Sequence, residues 1–326
     1  MQERDFLPWW VRHQKWVAAF AGVLLIGGAG LLAWVVFEDE PVSAPPVAQA
    51  ETSAAGQQRE ASFERLGEPD PGDWRARYNE KKQGFQAWRR GRERGYAAGR
   101  VIYLQPLAPF DHGASPDLDV LAKGASIYLG VEVEVLPELD VDELDVRQRE
   151  NGMQGQLQYL TVDILDELRD RKPDDAAAVM ALTTTDLWPG EGWNFVFGMA
   201  SLRDGVGVQS FARYDPDDYI LSLDSPRGAS RDVTILRRSM KLVTHELGHT
   251  FGIRHCLHYR CAMNGTNSLS ETDESPLHLC PVDLRKLEYA VGFDKKERYL
   301  RLAEFYREHD LEPEAWFVSE RAELVK

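Results

Sequence analysis

Residues 244–263 read T-H-E-L-G-H-T-F-G-I-R-H-C-L-H-Y-R-C-A-M, and the rest of the chain is best read as support for this stretch. His245 and His249 are four apart, so on a helix they stack on one face about 5–6 Å apart at Cβ. That spacing lets two imidazoles grip one metal ion. Glu246 sits beside a ligand but outside the ligand set, the general-base position of a zinc hydrolase. Gly252 permits a left-handed backbone that stops the helix, so the chain can double back and offer His255 as a third ligand. Three protein ligands leave a fourth position open, and an open position separates catalytic from structural zinc. Val233, Leu236, Met240, Val243, Leu247 and Phe251 recur at three- and four-residue intervals ahead of that glycine, as on an amphipathic helix. A bare His-Glu-x-x-His arises by accident in roughly one chain in a hundred of this length. The spaced Gly and third His lower that by about two to three orders of magnitude, so a polar helix face with scattered histidines is the weaker reading.

The chain has three cysteines, too few for a disulfide scaffold, and Cys256, Cys261 and Cys280 all follow His255 closely. Such clustering favours metal ligation. The extended motif, with a Cys directly after the third His and Met263 beyond, resembles that of the metzincin metallopeptidases. Within them it is similar to the archaemetzincin (archaelysin) family. The blocks I-Y-L-Q-P-L, T-T-T-D-L-W-P and G-V-Q-S-F-A-R-Y are similar too, so the likeness spans roughly residues 74–298. The resemblance implies a catalytic zinc on His245, His249 and His255, a tight turn at Met263 packed beneath these ligands, and a second zinc on four cysteines. Cys256, Cys261 and Cys280 match three of the four, but Asp283 stands at the last position.

A carboxylate can bind zinc, at about 2.0–2.2 Å, but it matches a thiolate set less well than sulfur does. The expectation is therefore a looser, structural Cys3Asp zinc site. Three other arrangements are open at this point. Asp283 can merely favour the N-terminal dipole of the helix after Pro281, His258 or His278 can complete the set, or two cysteines can pair in an oxidising compartment.

Residues 17–37 carry no charge and are strongly apolar, and as a helix they would span about 31 Å, close to a bilayer's hydrocarbon thickness. Arg4, Arg12 and Lys15 precede the segment, and the next basic residue after it is Arg59. The positive-inside rule then leaves the N-terminus in the cytoplasm and the catalytic domain on the outer (periplasmic or extracytoplasmic) side. A cleaved signal peptide is the rival reading, through Ala48-Gln49-Ala50. Residues 38–73, rich in Pro, Ala, Gln and acid, read as a flexible linker. The expected organisation is thus a cytoplasmic end at 1–16, a transmembrane helix at 17–37, the linker at 38–73 and a metallopeptidase domain at 74–326. The formal net charge of -15 argues against nucleic acid as a general partner.

Residues 74–100 are strongly basic and read as a solvated helix whose Tyr78, Phe85 and Trp88 turn toward the domain. An alternating pattern follows, with strands at 101–107 and 131–136, helices at 117–129 and 155–171, and strands at 176–184, 195–202 and 206–214, the last two as a hairpin. Helices are expected at 281–291 and 295–307, then a short Glu-rich end. The fold class is α/β, a metzincin-like mixed sheet with flanking helices and an active-site helix, behind one N-terminal transmembrane helix. Its expected function is membrane-anchored, zinc-dependent hydrolysis of peptide or protein substrates. The alternative is a non-catalytic, zinc-stabilised peptide-binding domain, against which the intact Glu246 weighs.

Overall fold

The structure, a computed structural model, describes residues 63–151, 155–216 and 230–325. The segment expected to cross a membrane, 17–37, lies outside them. Among the described residues no helix is long and apolar enough to cross a membrane.

Residues 74–100 hold only two helical turns, α1 (Trp74–Arg77) and α2 (Phe85–Trp88), instead of the solvated helix expected there. Gly91, Gly95 and Gly99 all take positive φ, which interrupts any helix. The apolar side chains still anchor the segment: Trp88 is 1% exposed, and its indole N–H donates to the Phe251 carbonyl at 3.1 Å. The expected linker also ends earlier than Asp73. Phe63 is buried and packs edge-on against Tyr259 and Phe317, so the folded unit includes residues ahead of Trp74.

Next come β1 (Val101–Ala108), α3 (Leu118–Leu129), β2 (Glu132–Val135), β3 (Leu139–Asp140), β4 (Gln148–Glu150), β5 (Leu157–Leu160), α4 (Thr161–Arg171), β6 (Ala176–Thr183), β7 (Asp186–Trp188), β8 (Gly198–Ala200) and β9 (Val206–Ser210). The main sheet runs β2-β1-β6-β9-β8. Its pairings are parallel except β8 with β9, the expected hairpin, which puts an antiparallel strand at the edge. Strand alternation explains the layers. Ala178, Met180 and Leu182 of β6 join one core with Leu121, Tyr128, Met240 and Val243, whereas Val179 and Ala181 join the other with Ile164, Leu165 and Leu168. A sheet covered on both faces needs this near-continuous apolar reading.

Two expectations differ here. Residues 155–171 are not one helix: β5 pairs antiparallel with β4 and parallel with β7 in a small second sheet, and α4 begins only at Thr161. Leu-Gln-Tyr-Leu is too short to declare its period, and sheet partners decide it. The hairpin strands are also shorter than expected. Phe195 and Phe197 pack on each other ahead of β8, and β9 stops at Ser210.

The C-terminal half is helical: α5 (Arg231–Thr250), α6 (Leu269–Glu274), α7 (Pro281–Val291), α8 (Lys295–Glu308) and α9 (Glu312–Leu324). The last replaces the expected short Glu-rich end. Its buried stripe is Ala315, Val318 and Ala322, a spacing of three and four carried by residues too small to stand out in sequence. Helix α5 is capped by Ser230, whose Oγ accepts from Val233 N–H at 3.3 Å. It is pinned along its length. Arg238, fully buried, pairs with Asp273 at 2.6 Å and donates to the Tyr214 carbonyl. Lys241 Nζ donates to the Thr272 and Asp273 carbonyls at the C-terminal end of α6, where a cation is favoured. Breaking such a buried pair costs about 3–5 kcal/mol, so the helix presents its last turn in a fixed position.

Candidate active site

That last turn carries the histidines. Helix α5 ends at Thr250 with Phe251 as its C-cap, and Gly252 takes φ 72°, turning the chain so that the Ile253 carbonyl accepts from His249 Nδ1 at 2.7 Å. His245 Nδ1 likewise donates to the Ala262 carbonyl at 2.8 Å. His255 follows the turn, and its Nδ1 donates to the Glu80 carboxylate at 2.8 and 3.0 Å. Each of the three histidines brings one potential ligand atom within 4.8 Å of the others.

The arrangement fits a cation. With both Nδ1 atoms donating to carbonyls, the neutral rings of His245 and His249 carry bare lone pairs on Nε2, yet these atoms face each other at 3.0 Å. Two acceptors at that distance repel unless a positive centre lies between them. Protonation is not the remedy the site favours, because burial first, then the neighbouring histidines, lowers His245 to about 3 and His249 well below its ordinary value. A zinc at about 2.0–2.1 Å from each nitrogen holds ligand atoms about 3.3 Å apart, close to what is found.

Glu246 is buried and lies against β8: a Cβ placed on Gly198 would meet its Oε1 and Cγ at 3.1 Å. A glycine here lets the edge strand approach the carboxylate. Burial pushes the Glu246 carboxyl up to about 8. Met263, fully buried, packs under the helix at Gly248, where any Cβ would strike its sulfur. Both Gly198 and Gly248 went unnoticed in the sequence, because only the neighbour across the fold gives either one its reason.

The second group lies directly behind. Cys256, Cys261, Cys280 and Asp283 are all buried, and their ligand atoms also lie within 4.8 Å of one another. Cys256 Sγ is 3.6 Å from Cys280 Sγ, and Asp283 Oδ2 is 3.5 Å from Cys261 Sγ and 3.4 Å from Cys280 Sγ. A tetrahedral zinc with sulfurs at about 2.3 Å sets its ligands about 3.5–3.8 Å apart, so the residues fit the ion. All three thiols are free rather than paired. Asp283 sits in the first turn of α7, but its Oδ2 faces the sulfurs while Oδ1 takes 2.7 Å from Lys286 Nζ. Burial, then the charge of Cys256, pushes the Asp283 carboxyl up to about 7, against the pull of Lys286. Within the trio the Cys256 thiol is drawn down by the hydrogen bonds of Cys261 and Cys280. Neither alternative histidine joins. His278 stacks on Phe317 at 3.6 Å, and the cluster's ligand set does not contain His258.

Sequence reasoning missed Glu80, Trp74, Gln83 and Lys286. For Lys286 a signal existed, an Asp-x-x-Lys spacing on a helix. For the others none did, since Glu80 and His255 are 175 residues apart. The aromatics near β8 divide: Trp193 is 42% exposed and stacks on Tyr78 at 6.3 Å, while Phe197 packs against the core.

A helix-borne His-Glu-x-x-His with a third histidine past a glycine turn, beneath the edge of a mixed sheet, defines a zinc metallopeptidase. Peptidase family M54 matches residues 148–289. Archaemetzincin-2 of Mus musculus is 36% identical, with 77% of this chain and 77% of that protein covered. Archaemetzincin-2 of Homo sapiens is 42% identical over 54% of each. Among solved structures, archaemetzincin from Archaeoglobus fulgidus, complexed with malonate, aligns with 57% of this chain and 99% of its own at 28% identity and a TM-score of 0.42. The chain belongs to the archaemetzincin family of zinc-dependent metallopeptidases.

Proposed function

We propose that this zinc peptidase acts while tethered to a membrane by residues 17–37, with Glu246 as general base and His245, His249 and His255 as the ligands of the catalytic zinc. The observation that carries the catalytic part is the 3.0 Å approach of two unprotonated Nε2 atoms one residue from a buried glutamate at a sheet edge. Zinc, when bound, supplies a Lewis acid that polarises the scissile carbonyl and acidifies the attacking water. The remaining work falls to the chain. Among the described residues β8 is the last strand of the main sheet, an edge along which an extended peptide can add as a further strand. Gly198 keeps that strand close enough for Glu246 to reach the attacking water. Glu246 takes its proton and returns it to the leaving amine. Burial makes Glu246 hold a proton more firmly than an exposed glutamate does, and the charge of a bound cation would act in the opposite sense. Cys256, Cys261, Cys280 and Asp283 hold a second, structural zinc, and the organisation into 1–16, 17–37, a linker and a metallopeptidase domain follows the sequence reading.

The catalytic part is tested on a defined peptide. Glu246→Ala should abolish hydrolysis with zinc content unchanged, and activity surviving that substitution would exclude the assigned base. The tether rests on the charge asymmetry around residues 17–37. A reporter active only outside the cytoplasm, fused after Lys326, should be active and stay with the membrane fraction. A soluble form starting near Glu51 would replace the tether with a cleaved signal.

A further inference from the structure

Of the three histidines, two are oriented by the backbone of the loop that follows the helix, through the Ala262 and Ile253 carbonyls. The third is not. His255 depends on a side chain from the opposite end of the domain, outside the part of the chain that matches the peptidase family. We propose that Glu80 is a positioning residue for the catalytic zinc, its carboxylate accepting from His255 Nδ1 so that the third ligand is held in the right tautomer and aim.

The contact is built rather than incidental. Both carboxylate oxygens lie within 3.0 Å of Nδ1, and Oε2 also accepts from the Trp74 indole N–H at 3.0 Å. Trp74 in turn stands edge-on to His255, 5.1 Å between ring centres, and its backbone N–H is held by Glu271 at 3.0 Å. Three residues on, Gln83 clasps the turn that leads into His255: its Nε2 donates to the Gly252 carbonyl at 3.1 Å and its Oε1 accepts from Arg254 N–H at 3.0 Å. The same Oε1 accepts from Lys286, so one short segment braces the histidine from both sides. At 17% and 26% side-chain exposure the His255–Glu80 pair is partly shielded from water, unlike a surface ion pair. With Nδ1 occupied, Nε2 is the nitrogen His255 has to offer a metal. A carboxylate on the far nitrogen fixes the ring and raises its basicity, and losing such a partner costs about 10–100-fold in metal affinity. The same carboxylate could instead be an inhibitory ligand that swings onto the metal, but its engagement with Nδ1 and the Trp74 indole directs it away from that task.

The inference rests on His255 being a zinc ligand, and the experiment separates the two claims. The zinc-depleted full chain is titrated with Co2+, reading the weak visible bands of the histidine site apart from the strong near-ultraviolet thiolate charge transfer of the cysteine site. Glu80→Ala should weaken cobalt binding at the histidine site by about 10–100-fold and leave the thiolate signal at its parent midpoint. Glu80→Gln keeps an oxygen for the Nδ1 proton and should fall between the parent and the alanine variant. His255→Ala should lose the visible bands of the histidine site and keep those of the cysteine site. If His255→Ala retains parent affinity, the ligand assignment itself is wrong. If His255→Ala loses binding while Glu80→Ala does not, the positioning role alone is wrong. Two further results overturn it: a gain of peptidase activity in Glu80→Ala, which marks an inhibitory ligand, or a parallel loss at both sites with a lower melting temperature of the metal-free chain, which marks a general structural role.

Discussion

His255 and Cys256 are neighbours in sequence, yet they face two ligand groups of opposite character. The histidine group is half-buried, its rings oriented from behind by two carbonyls and one carboxylate, with a general-base candidate and a sheet edge in front. The cysteine–aspartate group is sealed: Cys256, Cys261, Cys280 and Asp283 are all at most 3% exposed, and Lys286, itself buried, pairs with Asp283. A half-buried group of three imidazoles beside a sheet edge suits chemistry, whereas a sealed group of three thiols and a carboxyl suits cross-linking. The difference teaches that one turn of backbone can serve both purposes, because Cys256 N–H donates to the Met263 carbonyl while the adjacent Ala262 carbonyl holds His245.

The comparison breaks most sharply under paired ligand substitutions. His249→Ala should abolish peptide hydrolysis and release one zinc while the thiolate site keeps its own, as read by metal analysis of the purified chain. Asp283→Ala should do the reverse at first. Zinc content falls from two toward one, and the chain loses about 3–5 kcal/mol of stability in denaturant unfolding, because Lys286 is left buried without its carboxylate. If a single zinc is found in the parent and Asp283→Ala leaves it unchanged, the second group is not a metal site. A smaller effect tests the element the two groups share. Gly248→Ala pushes a methyl into Met263 and should cost about 1–3 kcal/mol by overpacking, with a loss of activity larger than any loss of thiolate-site zinc. Equal losses at both sites would mean that Met263 supports the domain generally and not the histidine turn in particular.

The residues that sequence determined are those whose geometry is set within a few turns of chain. Histidines four apart on an apolar-periodic helix have to share a face, and a glycine at φ 72° then sends the chain back with His255. The helix over Pro281–Val291 was legible to the residue, because Pro at its first position and Gly292 beyond its last are local punctuation. Long strands with long apolar runs, such as Val101–Ala108 and Ala176–Thr183, were legible for the same reason. Tertiary structure decided the rest. Leu157–Leu160 is a strand only because Gln148–Glu150 and Asp186–Trp188 flank it, and the basic segment is unwound because its aromatics gain more by burial than its backbone does by a helix. Whether Asp283 caps a helix or faces three sulfurs depends on where Cys256 and Cys261 are carried by a loop. Glu80 acquires a role only when a segment 175 residues away arrives beside it. Pattern in a sequence reports interactions between residues a few positions apart, and pairs brought together by burying the core of a whole domain leave no period to read.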